Sequence, residues 1–83
     1  MIDPSLFPTG VVYTPAEELI INHIVEKPPE FLLQSIQDVA ASLGISEATV
    51  SRFARHAGFG DFKTLKNAVA ARSLGPADKM SAS

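Results

Sequence analysis

Arg52 and Arg55 lie three residues apart in a segment that also carries Ser46, Ala48, Thr49 and Ser51. A guanidinium is a rigid fork of donors that matches guanine O6 and N7, or the oxygens of a phosphate. Thr49 and Ser51 are short hydrogen-bonding side chains, and the Thr49 methyl can pack against thymine. Ser46 caps a helix whose free N–H groups can receive a phosphate. Lys63 and Lys66 follow at the start of a later helix, where a duplex backbone would pass. These eight residues are the candidate contact set for double-stranded DNA. Plain alternatives stand beside most of them: a helix cap for Ser46, a solvated face for Thr49 and Ser51, and ordinary solvated lysines for Lys63 and Lys66. Arg52 has the sharpest rival, an internal ion pair with an acid such as Asp38. Glu47 is read as stabilising the positive end of its helix, with acceptance from a cytosine amino group as the alternative.

Positioning such a set takes two helices and a tight corner. Ile36–Arg55 reads as a helix-turn-helix unit: Ala40 is small where two backbones approach, and Gly44 sits where the chain needs positive φ to leave the first helix. The second helix, about 46–57, turns Val50 and Phe53 inward and leaves its polar residues outside. Upstream, Thr14-Pro15-Ala16-Glu17 combines an N-cap, a proline at the first helical position and a capping-box glutamate. That helix is expected to run to about Glu26, where Lys27-Pro28-Pro29 ends it. Glu30–Gln34 is expected to form a short turn under the core, and Ser35 to cap the next helix. A last helix begins near Asp61, with Phe62, Leu65 and Val69 inward. The fold class is all-α, a homeodomain-like bundle of four or five short helices. Residues 1–13 read as an N-terminal arm, 14–74 as the helix-turn-helix domain and 75–83 as a flexible tail or truncated linker.

The net charge of −2 conceals an uneven distribution. Residues 1–50 hold one lysine against seven acids, whereas 51–72 hold Arg52, Arg55, Lys63, Lys66 and Arg72 against Asp61 alone. Phosphate responds to the local field, so the basic segment suits DNA. Its footprint is small, and one copy should bind weakly. Leu19, Ile20, Ile21, Ile24 and Val25, with Leu6, Phe7, Val11, Val12 and Tyr13, make an apolar excess that predicts homodimerisation through the arm and first helix. The chain has no cysteine, so thiol chemistry and disulfides are excluded. His23 and His56 stand on different helices and make no metal site; His56 is expected to graze the DNA backbone. No cofactor motif or catalytic set is legible. The expectation is a non-enzymatic, cytoplasmic chain without a membrane span.

Four stretches carry a resemblance: Thr14-Pro-Ala-Glu17, Ser35-Ile-Gln-Asp-Val-Ala40, Gly44-Ile-Ser-Glu-Ala-Thr-Val-Ser-Arg-Phe53, and Gly58-Phe-Gly-Asp-Phe-Lys-Thr-Leu-Lys66. The segment 14–72 resembles the N-terminal DNA-binding domain of RpiR-type bacterial transcriptional regulators. The last two stretches are the more specific. The resemblance implies a dimeric operator-binding domain controlling genes of sugar or sugar-derivative metabolism. It also implies a phosphosugar effector, but only where a C-terminal sugar isomerase domain exists in the full protein. The chain reads as a fragment of such a regulator, with a natural stand-alone version as the alternative. The competing reading is a helix-turn-helix-fold protein interaction module that binds no DNA, which the acidic first half would suit.

Overall fold

Side-chain caps start four of the five α-helices, and two glycines shape the exits that matter most. The computed structural model describes residues 2–82, with side chains for 2, 3 and 5–73. A 3-10 turn, Pro4–Leu6, precedes α1 (Pro15–Glu26), α2 (Pro28–Leu33), α3 (Ile36–Leu43), α4 (Glu47–His56) and α5 (Phe62–Ala82); no strand occurs among the described residues. At α1 the Thr14 hydroxyl accepts the Glu17 N–H at 3.2 Å and Glu17 Oε1 accepts the Thr14 N–H at 2.9 Å, a closed capping box. Ser35 and Asp38 repeat it at α3, both bonds 3.1 Å. Ser46 Oγ accepts the Thr49 N–H at 3.1 Å to open α4, and Asp61 Oδ1 accepts the Thr64 N–H at 2.8 Å to open α5. Each cap satisfies a donor that the first turn leaves orphaned, worth about 1 kcal/mol.

Gly44, at φ 69°, ends α3 in the left-handed conformation. The turn is closed by the Ile45 N–H to the Ala40 carbonyl at 3.0 Å and the Gly44 N–H to the Ala41 carbonyl at 3.3 Å, the paired bonds of a Schellman exit. Gly58, at φ 91°, ends α4 the same way, with the Phe59 N–H on the Ala54 carbonyl at 2.8 Å. The helix-turn-helix corner is therefore made of local hydrogen bonds, and α3 packs against α4 as its closest helical neighbour.

The core takes Ile20 and Ile24 from α1, Phe31 from α2, Val39 and Ala40 from α3, Val50 and Phe53 from α4, and Leu65 and Val69 from α5. Ala40 is 5% exposed at the α3 corner, as its small volume anticipates. Truncating a buried phenylalanine such as Phe53 to alanine would cost about 3–5 kcal/mol.

Three features depart from the sequence reading. The arm was expected to offer its apolar residues to a second copy; instead Ile2 and Phe7 enter this chain's own core, and Tyr13 packs against it. A core of this size gains from every apolar group within reach, and the arm is close enough to supply two. Pro28 and Pro29 do end α1, but they also open α2, because a proline in the first turn forfeits no helical bond. Finally, α5 was expected to stop near Leu74 and runs to Ala82. Residues 75–82 carry no apolar period, so periodicity could not reveal this length. At 1.5 Å per residue, its 21 residues span about 32 Å. Met1 and Ser83, the outer ends of the expected arm and tail, lie outside the described residues.

Candidate nucleic-acid interface

On α4 the inward positions are Val50, Phe53 and Ala54, followed by Ala57 at its C-terminal end. Successive side chains are separated by about 100°, so the opposite ridge falls on Ala48, Arg52 and Arg55, at spacings of four and three. All three are exposed. Ser51 and Thr49 lie half-buried on the flanks, and Glu47 and Ser46 are exposed at the N-terminal end. The Ser46 and Thr49 hydroxyls are hydrogen-bonded to each other at 2.7 Å, so both are already oriented by the cap.

Among the described residues, neither Arg52 nor Arg55 forms an ion pair. The pairing of Arg52 with Asp38 does not occur: the Asp38 carboxylate is occupied by the Ser35 N–H at its own capping box. Both guanidiniums are thus free to meet an external acceptor. No cavity opens among the described residues.

The two lysines differ from one another. Lys63 is exposed on the first turn of α5 and lies near Asp61, whose carboxyl is held below its ordinary range by the Thr64 N–H and hydroxyl, with a smaller contribution from Lys63. Lys66 is half-buried; its Nζ donates to the Gln34 carbonyl at 2.6 Å and sits 5.4 Å from the centroid of the Phe62 ring. Gln34 also accepts from His23 Nε2 at 2.7 Å and donates to Ser42 Oγ at 2.9 Å. Gln34 therefore knots α1, α3 and α5 together, and Lys66 is one strand of the knot. Sequence reading grouped Lys66 with the outward cations; the structure turns it toward its own backbone.

The arrangement behind α4 was not anticipated. Glu17, 5% exposed, is the buried charged residue among those described. Its Oε2 lies 2.9 Å from Nδ1 of His56 in the last turn of α4. A carboxylate can only accept, so the ring nitrogen donates. Burial pushes the Glu17 carboxyl up, but the Thr14 N–H and His56 more than offset this and hold it below the ordinary glutamate range. The His56 ring also packs on Tyr13, with centroids 5.5 Å apart. His56 was expected at the DNA backbone; its Nδ1 instead faces the protein. A 39-residue separation leaves no local signal, and the capping box already explained Glu17 by itself.

No group of three or more potential metal ligands occurs among the described residues, and no helix there is long and apolar enough to cross a membrane. No curated protein matches the chain. The family model described as "Helix-turn-helix domain, rpiR family" matches residues 10–74, which covers all five helix starts and the whole α3–α4 corner. The chain thus belongs to the rpiR family of helix-turn-helix domains, a family of DNA-binding regulators.

Proposed function

We propose that this domain binds operator DNA sequence-specifically for a bacterial transcriptional regulator, with α4 inserted in the major groove and α3 across the backbone. The observation that carries this reading is the Ala48–Arg52–Arg55 ridge, exposed and without an internal partner for either arginine. In the groove, Arg52 and Arg55 read guanine or clamp phosphate, while Thr49 and Ser51 border the contact. Ser46 offers the α4 N-terminus to a phosphate. Lys63 contacts the backbone beside α4, and Lys66 adds its field from a fixed position.

Two copies act together on half-sites about one duplex turn apart, since one basic face of this size binds weakly. Most of the arm's apolar surface is committed to the domain's own core, so the surface left for homodimerisation is Leu19 on α1, 47% exposed, with Val12 beside its start, 86% exposed. The regulated genes belong to sugar or sugar-phosphate metabolism, as in the regulators this domain resembles. A phosphosugar effector applies where a sugar isomerase domain follows in the full protein, with residues 75–83 as the lead-out. The setting is cytoplasmic, and the domain performs no catalysis of its own.

Selection of duplexes from a random pool by the wild-type chain tests the reading. Enrichment of a shared site, lost in Arg52→Ala, supports it. Failure to bind any duplex, together with capture of a protein partner by the acidic α1–α2 surface, would move the assignment to an interaction module.

A further inference from the structure

The family match begins at residue 10, yet the segment before it is built into the fold. Ile2 and Phe7 are buried, and the segment is tied down at three places. The Ile2 N–H donates to the Val25 carbonyl at 3.0 Å, at the end of α1. Arg72 Nη1 donates to Ser5 Oγ at 3.2 Å, from α5. Phe7 packs its ring on Phe53 of α4, with centroids 5.7 Å apart, and on Phe59 in the α4–α5 turn at 6.1 Å. The Tyr13 hydroxyl closes the returning loop on the Pro8 carbonyl at 3.4 Å.

Phe53 is the point where this strap acts. Its ring meets Phe7 from the strap and Tyr13, 5.9 Å away, from the lead into α1. Phe53 is adjacent in sequence to Arg52 and two residues before Arg55, on the opposite side of the same helix. The N-terminal half of α4 is fixed by the α3 corner. Its C-terminal half is held by the Gly58 turn into α5, and from the other side by the pair of rings on Phe53 and the Glu17 bond to His56. A small rotation of α4 about its axis would swing the long Arg52 and Arg55 side chains furthest.

We infer that Phe7 is a positioning residue for DNA recognition: the strap at residues 2–9 sets the pose of the Arg52–Arg55 ridge, so the binding unit of this chain begins upstream of the family domain. This rests on the reading that α4 meets DNA. Phe7 carries no charge and touches α4 only from within, so its effect must appear in affinity and discrimination and not in the count of phosphates neutralised.

The test compares wild type with Phe7→Leu and Phe7→Ala in the full chain, at a temperature where circular dichroism shows each variant folded. The probe is the duplex that wild type enriches from a random pool, measured across a salt series. Phe7→Ala should bind about tenfold more weakly, equivalent to about 1.4 kcal/mol, on a log–log salt line parallel to wild type. Phe7→Leu should fall between the two, with the preference for the selected duplex over mixed-sequence DNA reduced about threefold, and that preference should shrink further in Phe7→Ala. A folded Phe7→Ala that binds within twofold of wild type would overturn the inference and leave Phe7 a stability residue alone. Should Phe7→Ala not fold, Phe7→Leu decides: a threefold or greater loss of preference supports positioning, and wild-type behaviour overturns it. Wild type that enriches no duplex would overturn the α4 reading itself, and the strap's role with it.

Discussion

Glu17 and His56 stand 39 residues apart in the chain and 2.9 Å apart in the fold. One carboxylate thereby does two jobs: Oε1 closes the capping box that starts α1, and Oε2 holds the last turn of α4. In this way α4 is fixed to α1 through a side chain that is itself fixed to backbone.

Replacing Glu17 with glutamine keeps an acceptor for the Thr14 N–H but removes the charge that His56 meets. Glu17→Gln should lower unfolding stability at neutral pH by about 1–2 kcal/mol, at the modest end for a hydrogen bond to a charged group because His56 is partly solvated. The pH dependence has a defined sign. The folded-state carboxyl lies below the ordinary value, so its contribution is complete above about pH 4.3 and is lost as pH falls through the lowered folded value. Urea midpoints should therefore separate wild type from Glu17→Gln at neutral pH and converge in acid. A gap that stays constant down to pH 2 would show that the carboxylate's charge is not what His56 uses.

Lys63 and Lys66 should behave differently although they lie one turn apart. Lys63→Ala removes an exposed cation, so it should leave stability within about 0.5 kcal/mol and make the salt dependence of DNA binding shallower. Lys66→Met removes the donor to the Gln34 carbonyl, and should cost about 1–2 kcal/mol of stability. Thermal unfolding of both variants, beside duplex titrations at several salt concentrations, separates them. Equal stabilities would contradict the Gln34 knot.

Gly44 has open space where a Cβ would project, so a substitution there meets only backbone strain. Gly44→Ala should cost about 1–2 kcal/mol, and Gly44→Asn clearly less, because asparagine tolerates the left-handed region. Calorimetric melting of the two variants checks the order. A reversed order would mean that the α3–α4 corner does not keep its positive φ in solution.

The parts of this fold that sequence displayed are those made by neighbours in the chain. Thr14 with Glu17, Ser35 with Asp38 and Ser46 with Thr49 each close over three residues, and Gly44 sets its own φ. Helical period then placed Val50 and Phe53 inside and Arg52 and Arg55 outside, because facing follows from 100° per residue alone. What stayed hidden is what distant residues decide. Phe7 looked like surplus apolar surface until Phe53 and Phe59 were beside it. Lys66 looked like any outward lysine until the Gln34 carbonyl was within reach. His56 looked like a residue at the DNA backbone until the Glu17 carboxylate was within reach of its Nδ1. The exposed Leu33, at 88%, has no account in this structure.

The most direct test of the α4 ridge is a salt titration of duplex binding by wild type and by the Arg52→Ala, Arg55→Ala double variant. Wild-type affinity should fall linearly on log–log axes as salt rises. If both arginines neutralise phosphate, the variant's line should be shallower by about two, near 0.9 for each contact removed. If Arg52 reads a base, the slope should change by about one, and discrimination of about 1–3 kcal/mol should vanish at one position of the site. A double variant with wild-type affinity, slope and sequence preference would contradict the account.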